Sequence, residues 1–518
     1  MNKMDGLALT FDIGTQSARA VLIDATGNIL LKEQIKFENP YISERPGWAE
    51  QKGEFYWDSI CYVSNRLKDR AKDLWNEIGV VSITTIRDTN ICVDENGEAL
   101  RPAILWLDKR KAKAEHRLDF KRRACFKAVG MSKTVDMIRK ASACNWIMEN
   151  EPEIWDKTYK YLMISGYMNF KFTGRMIDSK ANIVGHVPFN HKKGEWLNDR
   201  ELTYAVTPVP KEKLCELVDA GTVIGKITKK VSEETGIREG VPFVATASDK
   251  GCETIGLSCT TSDKGAISFG TTATIQFTTD SYIEPQRFFP AYPGAINGKY
   301  NPEIEIYRGY WLISWFKREF AEKEVLEAKR LNISPEELLN SRLKEISPGC
   351  NGLILQPYFT PGVAMPNAKG AVIGFSDVHT RIHIYRAIIE GINFALIDGM
   401  KMLEARMGTK TKEIYIAGGG AQSDEIAQIT ANMFGLPVIK TQTHEAAVIG
   451  SAALAFTGIN KYENIDEALS KMVHIKKIFE PDMDEYGIYR KLYSEVYCKI
   501  FDKLKPLYDK ESELEGIL

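Results

Sequence analysis

The fold is decided by residues 11–17, which run Phe11-Asp12-Ile13-Gly14-Thr15-Gln16-Ser17. Alternating apolar residues before this stretch predict a strand that ends at Asp12, and residues 20–23 predict its hairpin partner. A carboxylate at the end of an apolar strand is costly unless it is paired or bound to a metal. Gly14 lets backbone N–H groups approach a phosphate, and the hydroxyls of Thr15 and Ser17 can donate hydrogen bonds to it. Taken alone, the stretch suits an ordinary hairpin as well as a phosphate-binding loop.

The same pattern returns about half the chain later. Residues 266–269 predict a strand, Gly270, Thr271 and Thr272 a turn, and residues 274–278 the returning strand. A duplicated domain leaves such a recurrence, with two hairpins that face one ligand and can clamp a polyphosphate. We therefore predict an α/β chain of two lobes separated by a cleft, divided into residues 1–256 and 257–518.

The composition favours a globular protein that handles small molecules. The chain has 518 residues, of which 44% are hydrophobic and 26% charged, which are ordinary globular values. With 68 basic and 69 acidic side chains, the net charge of -1 gives no electrostatic footprint for nucleic acid or an anionic membrane. The N-terminal apolar run is interrupted by Asp12 and predicts a strand instead of a secretory signal. Nine cysteines without a Cys-x-x-Cys pair indicate reduced thiols and a cytoplasmic location.

A third segment is the glycine run at residues 418–420, between a predicted strand and a predicted helix. A dinucleotide-binding fold is the obvious alternative. It fails because Ser423 stands where the third glycine belongs and the next strand ends in Lys440 with no acid for a ribose. A flat glycine run could instead let an adenine ring lie against the backbone. A Walker loop is excluded as the phosphate site, since Leu257 occupies the position of its lysine.

A fourth segment places Asp249 directly after an apolar strand at residues 241–247. Its local sequence suits a helix N-cap equally well. In phosphoryl transfer to an alcohol, however, an aspartate accepts the hydroxyl proton as the oxygen attacks in line. We therefore predict that Asp249 is the catalytic base.

These four segments, in this order and spacing, resemble the FGGY family of carbohydrate kinases, which includes xylulokinases and glycerol kinases. Two further stretches extend the likeness, residues 370–390 and residues 445–452. The resemblance implies two actin/hexokinase-like (ribonuclease H-like) ATPase domains with an interdomain cleft. It implies ATP and Mg²⁺ as cofactors and phosphorylation of a hydroxyl on a small sugar or polyol. The first domain would bind the sugar and carry the base, and the second would bind the nucleotide.

The resemblance also implies a role for each motif. Asp12 would hold Mg²⁺, and Asp249 matches the catalytic base of the family. The nucleotide would be contacted by Thr15, Gln16, Ser17, Gly270, Thr271, Thr272, Gly419, Gly420 and Ser423.

The candidate substrate residues resemble two branches of the family. Arg87 and Asp88 match the Arg-Glu-Thr of glycerol kinases, whereas Trp106 and Asp108 match the Trp-x-Asp-x-Arg of pentulose kinases. Lys250 replaces the amide that commonly follows the base. Each charged group can hydrogen-bond vicinal hydroxyls, and a structural ion pair is equally open for each.

A pentulose such as xylulose is the leading expectation, with glycerol or another polyol as the alternative. The alternative of another class is an actin-like or chaperone-like ATPase without a sugar substrate. The expected partners are the small substrate and, as an option, a second copy of the chain, with neither nucleic acid nor membrane.

Overall fold

Two six-stranded sheets form the centre of the computed structural model, which describes residues 6–114, 118–360, 362, 365 and 367–514. The strands of the first sheet are β1 Leu7–Ile13, β2 Ser17–Ile23, β3 Ile29–Lys36, β4 Ile78–Thr85, β5 Thr222–Lys226 and β6 Pro242–Ala245. Those of the second sheet are β7 Lys264–Phe269, β8 Ala273–Gln276, β9 Glu303–Ile306, β10 Glu413–Ala417, β11 Val438–Thr441 and β12 Ile475–Phe479.

The two sheets repeat one topology. Their strand orders are β3-β2-β1-β4-β6-β5 and β9-β8-β7-β10-β11-β12. In each, the first three strands are an antiparallel meander, the next two join in parallel, and the outermost strand is antiparallel. This repetition confirms the two-lobed α/β architecture that the recurring hairpins predict.

Seventeen α-helices and twelve short strands, together with seven 3₁₀ helices and one π-helical turn, complete the described part of the chain. The helices are Gly53–Ala71, Phe120–Ala128, Ser132–Ala141, Ala143–Asn150, Pro152–Lys157, Ile164–Thr173, Lys229–Thr235, Asp249–Gly256, Trp311–Phe320, Glu322–Leu331, Pro335–Ser341, Arg381–Met407, Asp424–Phe434, Ala446–Gly458, Ile465–Met472, Met483–Leu492 and Cys498–Leu514. The short strands are Glu50–Gln51, Asn90–Val93, Ala103–Ile104, Lys160–Met163, Ile177–Ser179, Phe189–Asn190, Glu195–Trp196, Glu216–Val218, Tyr292–Pro293, Tyr300–Asn301, Ile354–Gln356 and Ala371–Ile373. None of these described helices is long and apolar enough to cross a membrane.

Helices cover both faces of the first sheet, so every residue of β1 is buried. Helix Gly53–Ala71 covers one face with apolar residues at helical spacing. The other face is covered by helix Ala446–Gly458, which follows the second sheet's β11 in the chain. Ser451 on this helix hydrogen-bonds Ser82 on β4, with 3.0 Å between the hydroxyl oxygens. The second half of the chain therefore completes the core of the first lobe.

The lobes are joined where helix Asp249–Gly256 crosses helix Ala446–Gly458. Both helices have a glycine at the crossing, and each glycine faces the backbone of the other helix. A methyl group on Gly256 would overlap the carbonyl oxygen of Ala446, and one on Gly450 would overlap the carbonyl oxygen of Cys252. The missing side chains therefore allow direct backbone contact and fix the position of the helix that begins at Asp249.

The sequence of residues 110–127 predicts one helix, and this prediction is wrong in its first part. Residues 105–114 form no helix or strand, and the helix begins at Phe120; residues 115–117 lie outside the described part. The guanidinium of Arg110 is held by Asp108 at 2.8 Å and Glu50 at 2.7 Å, and it lies over the ring of Trp48. These tertiary contacts fix an extended path and override local helix propensity.

Adding a methyl group at the crossing should destabilise the protein. We expect Gly256→Ala and Gly450→Ala each to lower the free energy of unfolding by about 1–3 kcal/mol or more, because backbone atoms have to move apart. Chemical denaturation measures the change. Gly487→Ala is the control, since a Cβ there meets nothing within 4 Å and alanine favours its helix by up to about 1 kcal/mol. Equal stability of the crossing variants and the control would contradict the tight contact.

Candidate active site

Asp12 lies at the end of β1 and is paired within its own hairpin. Arg19 stands opposite it on β2 and donates to its carboxylate at 2.6 Å. The same guanidinium lies 3.1 Å from Glu445, which Lys32 also contacts at 2.7 Å. Arg19 and Glu445 were missing from the predicted site, although Arg19 could have been found as the one charge in an apolar strand directly opposite Asp12.

The buried carboxyl group of Asp12 has an unusual pKa. Burial raises the pKa of Asp12 to about 6, and the charges of Asp249 and Glu445 add to that rise while Arg19 opposes it. A buried carboxylate of this kind gains stability when a cation approaches it.

Asp249 is the first residue of its helix, and the cap is the residue before it. The Ser248 hydroxyl accepts a hydrogen bond from the Gly251 N–H at 3.3 Å, so Ser248 supplies the N-cap. The Asp249 carboxylate accepts the N–H of Lys250 at 2.8 Å and lies 3.9 Å from Arg87 Nε. Its side chain is 30% exposed, and burial raises its pKa against the opposing charge of Arg87. The group is thus open to a ligand and able to accept a proton.

Charged side chains cross from one lobe to the other beside Asp249. Arg87, which follows β4 of the first sheet, binds both oxygens of Glu303 on β9 at 2.8 and 2.9 Å. Lys250 binds Ser268 on β7 and lies 3.2 Å from Glu253. The cleft is therefore spanned by polar contacts, and Glu303 is a member of the site that local sequence patterns do not reveal.

Asp88 is held by His186, a residue that no sequence motif indicates. Its two oxygens accept from the His186 backbone N–H at 3.0 Å and pair with the ring Nδ1 at 2.8 Å. The neighbouring Asp88 raises the pKa of His186, and despite its burial the pKa of Asp88 is lowered by the histidine. The two side chains form one polar unit.

Trp106 and Asp108 share a loop but differ in surroundings. The Trp106 indole N–H donates to the Thr15 hydroxyl at 3.0 Å, which places the indole beside the first hairpin turn. Asp108 is bound by Arg110 and by the backbone N–H of Ala49 at 2.6 Å, and its side chain is 3% exposed. The structure therefore brings Trp106 to the cleft and uses Asp108 to shape the loop.

The glycine run meets the second hairpin. A Cβ on Gly418 would lie 2.9 Å from the carbonyl carbon of Phe269 and 3.2 Å from the nitrogen of Gly270. Gly419, in contrast, has no neighbour closer than 4.0 Å in that direction. Ser423 caps the next helix by accepting from the Ile426 N–H at 3.2 Å. Beside this loop a cavity is lined by Ala421, Gln422, Lys440, Thr441, Thr443 and His444.

Besides the Trp106–Thr15 and Asp88–His186 contacts described above, the predicted residues fall into three groups. The first is a charged cluster that contains Asp12, Arg87, Asp249 and Lys250. The second is the set of backbone turns around the cleft, in which Gln16, Thr271 and Gly419 are exposed, Ser17 is buried, and Gly270, Thr272 and Gly420 adjoin other elements. The third group, Asp108 and Ser423, stabilises local structure: Asp108 accepts from Arg110, and the Ser423 hydroxyl accepts from the Ile426 N–H.

The stability of the protein should depend on pH through Asp12. Since its pKa is higher in the folded chain than the ordinary 3.8, the stabilising contribution of Asp12 is complete at low pH and is lost as pH rises through about 6. Asp12→Asn should therefore be more stable than the wild type at pH 8, by at most about 3 kcal/mol, with little difference at pH 4. Urea unfolding at both pH values tests this, with the exposed Asp502→Asn as control. A difference that does not change with pH would contradict it.

Comparison with known proteins identifies the family of the chain. The model of the FGGY family of carbohydrate kinases, N-terminal domain, matches residues 7–256, and that of the C-terminal domain matches residues 265–459. The chain is 27% identical to a xylulose kinase of Bacillus subtilis, covering 96% of this chain and 97% of that one. It is also 27% identical to a gluconokinase of the same organism over 94% of each. The crystal structure of ligand-bound xylulose kinase from Lactobacillus acidophilus has a TM-score of 0.81 at 23% identity, covering 98% and 99% of the two chains. The chain belongs to the FGGY family of carbohydrate kinases.

Proposed function

We propose that this carbohydrate kinase phosphorylates a hydroxyl of a pentulose such as xylulose, with Asp249 as the general base. The observation that carries the proposal is the open carboxylate of Asp249 between the two lobes. This carboxylate does not cap its helix, because Ser248 is the N-cap. It faces Arg87, and its charge raises the pKa of Asp12. As the acceptor oxygen attacks the terminal phosphate in line, Asp249 takes the hydroxyl proton.

The nucleotide is assigned to the cleft side of the second lobe, residues 257–518. The turns at residues 14–17 and 270–272 would donate hydrogen bonds to the phosphates from opposite sides. The open side of Gly419 and the adjoining cavity give adenosine a place beside the glycine run. Gly420 packs against the Tyr310 ring and keeps that run close to the sheet.

The residues present fit a divalent cation held together with phosphates, and we assign Mg²⁺ to Asp12. Among the described residues, no group of three or more histidine, cysteine or acidic side chains could hold a metal by itself. Mg²⁺ commonly uses one or two carboxylates and completes its shell with water and phosphate oxygens. The buried Asp12 carboxylate, with its raised pKa, would be stabilised by such an ion. The ion would neutralise charge on the transferred phosphoryl group.

The sugar is assigned to the first lobe, residues 1–256. Trp106 offers an apolar ring for a carbon backbone, and Arg87, Asp88 and Lys250 offer polar groups for hydroxyls. The relative named as a xylulose kinase supports a pentulose. Glycerol or another polyol is the second candidate, because the sequence Arg87-Asp88 resembles the Arg-Glu-Thr of glycerol kinases. The cytoplasmic location and the homodimer stay predictions.

A substrate screen tests the proposed function. We expect ADP formation from ATP to be stimulated strongly by a pentulose, and less by hexuloses, glycerol and tetritols. A coupled assay of ADP release measures each rate. Stimulation by none of these compounds, with ATP turnover dependent only on peptide or on protein concentration, would favour the actin-like or chaperone-like alternative instead.

Asp249→Asn should lower turnover by about 10²–10⁴-fold, the usual contribution of a general base. Its affinity for ADP, measured by calorimetry, and its thermal stability should stay close to those of the wild type. Asp484→Asn is the control, because it also removes an acid from the first turn of a helix, but on the surface of the second lobe. Wild-type turnover by Asp249→Asn would remove this residue from the role of base.

A further inference from the structure

The strand β9 presents two acids to the cleft. Its residues alternate, and Ile304 faces the long helix Arg381–Met407, where it contacts the position of Gly399. Glu303 and Glu305 therefore point the other way, toward the first lobe, and Glu303 reaches Arg87 there. Glu305 stands opposite Thr274 on β8, close to the turn at residues 270–272. It consequently lies on the wall of the cleft that faces Asp249.

The cations of this cleft are already engaged by other acids. Arg87 is bound through two nitrogens by Glu303, and Lys250 lies 3.2 Å from Glu253. Among the described residues, no hydrogen bond or ion pair engages the carboxylate of Glu305. The second lobe therefore presents to the proposed base a carboxyl group that, among the described residues, has no hydrogen-bond or ion-pair partner of its own.

The electrostatics of Glu305 agree with that position. Burial raises the pKa of Glu305 to about 7, the charges of Arg87 and Lys250 oppose the rise, and those of Glu303 and Asp249 add to it. The pKa values of Tyr292 and Tyr307 are raised by burial, and the charge of Glu305 adds to the rise of each. Glu305 thus belongs electrostatically to the cleft that contains the proposed base and substrate residues.

We propose that Glu305 selects substrates by their charge. It accepts a hydrogen bond from a hydroxyl of an uncharged sugar or polyol, and it repels the carboxylate of a sugar acid. This inference rests on the proposed function, and it separates the xylulose-type substrate from the gluconate-type substrate of the relatives. A sugar carboxylate would need a cation that no acid already engages, and in the described part of the chain the cations beside this strand, Arg87 and Lys250, are each engaged by an acid. Placing it near an unpaired glutamate adds repulsion that a neutral hydroxyl does not meet.

The experiment compares wild type with Glu305→Gln, which keeps the shape of the side chain and removes its charge. For each, kcat/KM is measured with xylulose and with gluconate at low and high ionic strength. At pH 8, above the pKa of Glu305, we expect the wild type to prefer xylulose and Glu305→Gln to raise the ratio of kcat/KM for gluconate to kcat/KM for xylulose about tenfold. Salt should raise the gluconate activity of the wild type and have little effect on that of the variant, because ions screen the repulsion.

Glu413→Gln is the matched control, since Glu413 starts β10 of the same sheet and pairs with Lys264 away from the cleft. Thermal unfolding and ADP affinity verify that Glu305→Gln is folded. A discrimination ratio that changes no more in Glu305→Gln than in Glu413→Gln would overturn the inference. So would a wild type that prefers gluconate, and in both cases the sugar kinase assignment would stand. A wild type that phosphorylates no compound of either charge would overturn both proposals.

Discussion

Backbone contact between two helices from opposite ends of the chain sets the geometry of the cleft. Helix Asp249–Gly256 leaves the first sheet, and helix Ala446–Gly458 comes back from the second to pack on that sheet. Because Gly256 and Gly450 face each other's backbones, the helices approach more closely than side chains would allow. The carboxylate at the start of the first helix is therefore fixed relative to both lobes, which a base needs if it is to meet a phosphate held by the other lobe.

Charge distribution in the cleft follows from that close approach. Burying carboxylates near one another is costly, and the protein offsets the cost with pairs that cross the boundary between lobes, namely Arg87 with Glu303 and Arg19 with Glu445. Asp12 and Asp249 keep raised pKa values despite these pairs. Ionisation of these two carboxyl groups is therefore unfavourable in the folded protein, and a bound cation or hydroxyl donor would make it more favourable. Such a cost is expected where a structure is adapted to binding at some expense of stability.

The sequence predicts the parts of the fold and site that depend on local patterns. The strand that ends at Asp12, the turn at residues 270–272 and the glycine run each lie within a few residues of chain, so alternation and turn residues are sufficient to find them. Glu303 and Glu445 could not be found in this way, because their roles arise only when distant strands and helices pack together. The predicted helix at residues 110–127 failed for the same reason, since the contacts of Arg110 with Glu50 and Trp48 are set by tertiary structure.

The position of helix Ala446–Gly458 has a consequence for biosynthesis. A ribosome that has released the first 256 residues has delivered all the strands of the first sheet, yet one apolar face of that sheet still lacks its cover. Nearly two hundred more residues have to emerge before the covering helix is available. During that interval the nascent first lobe is an aggregation-prone folding intermediate with an exposed apolar face. Molecular chaperones or the tunnel exit would have to shield this face.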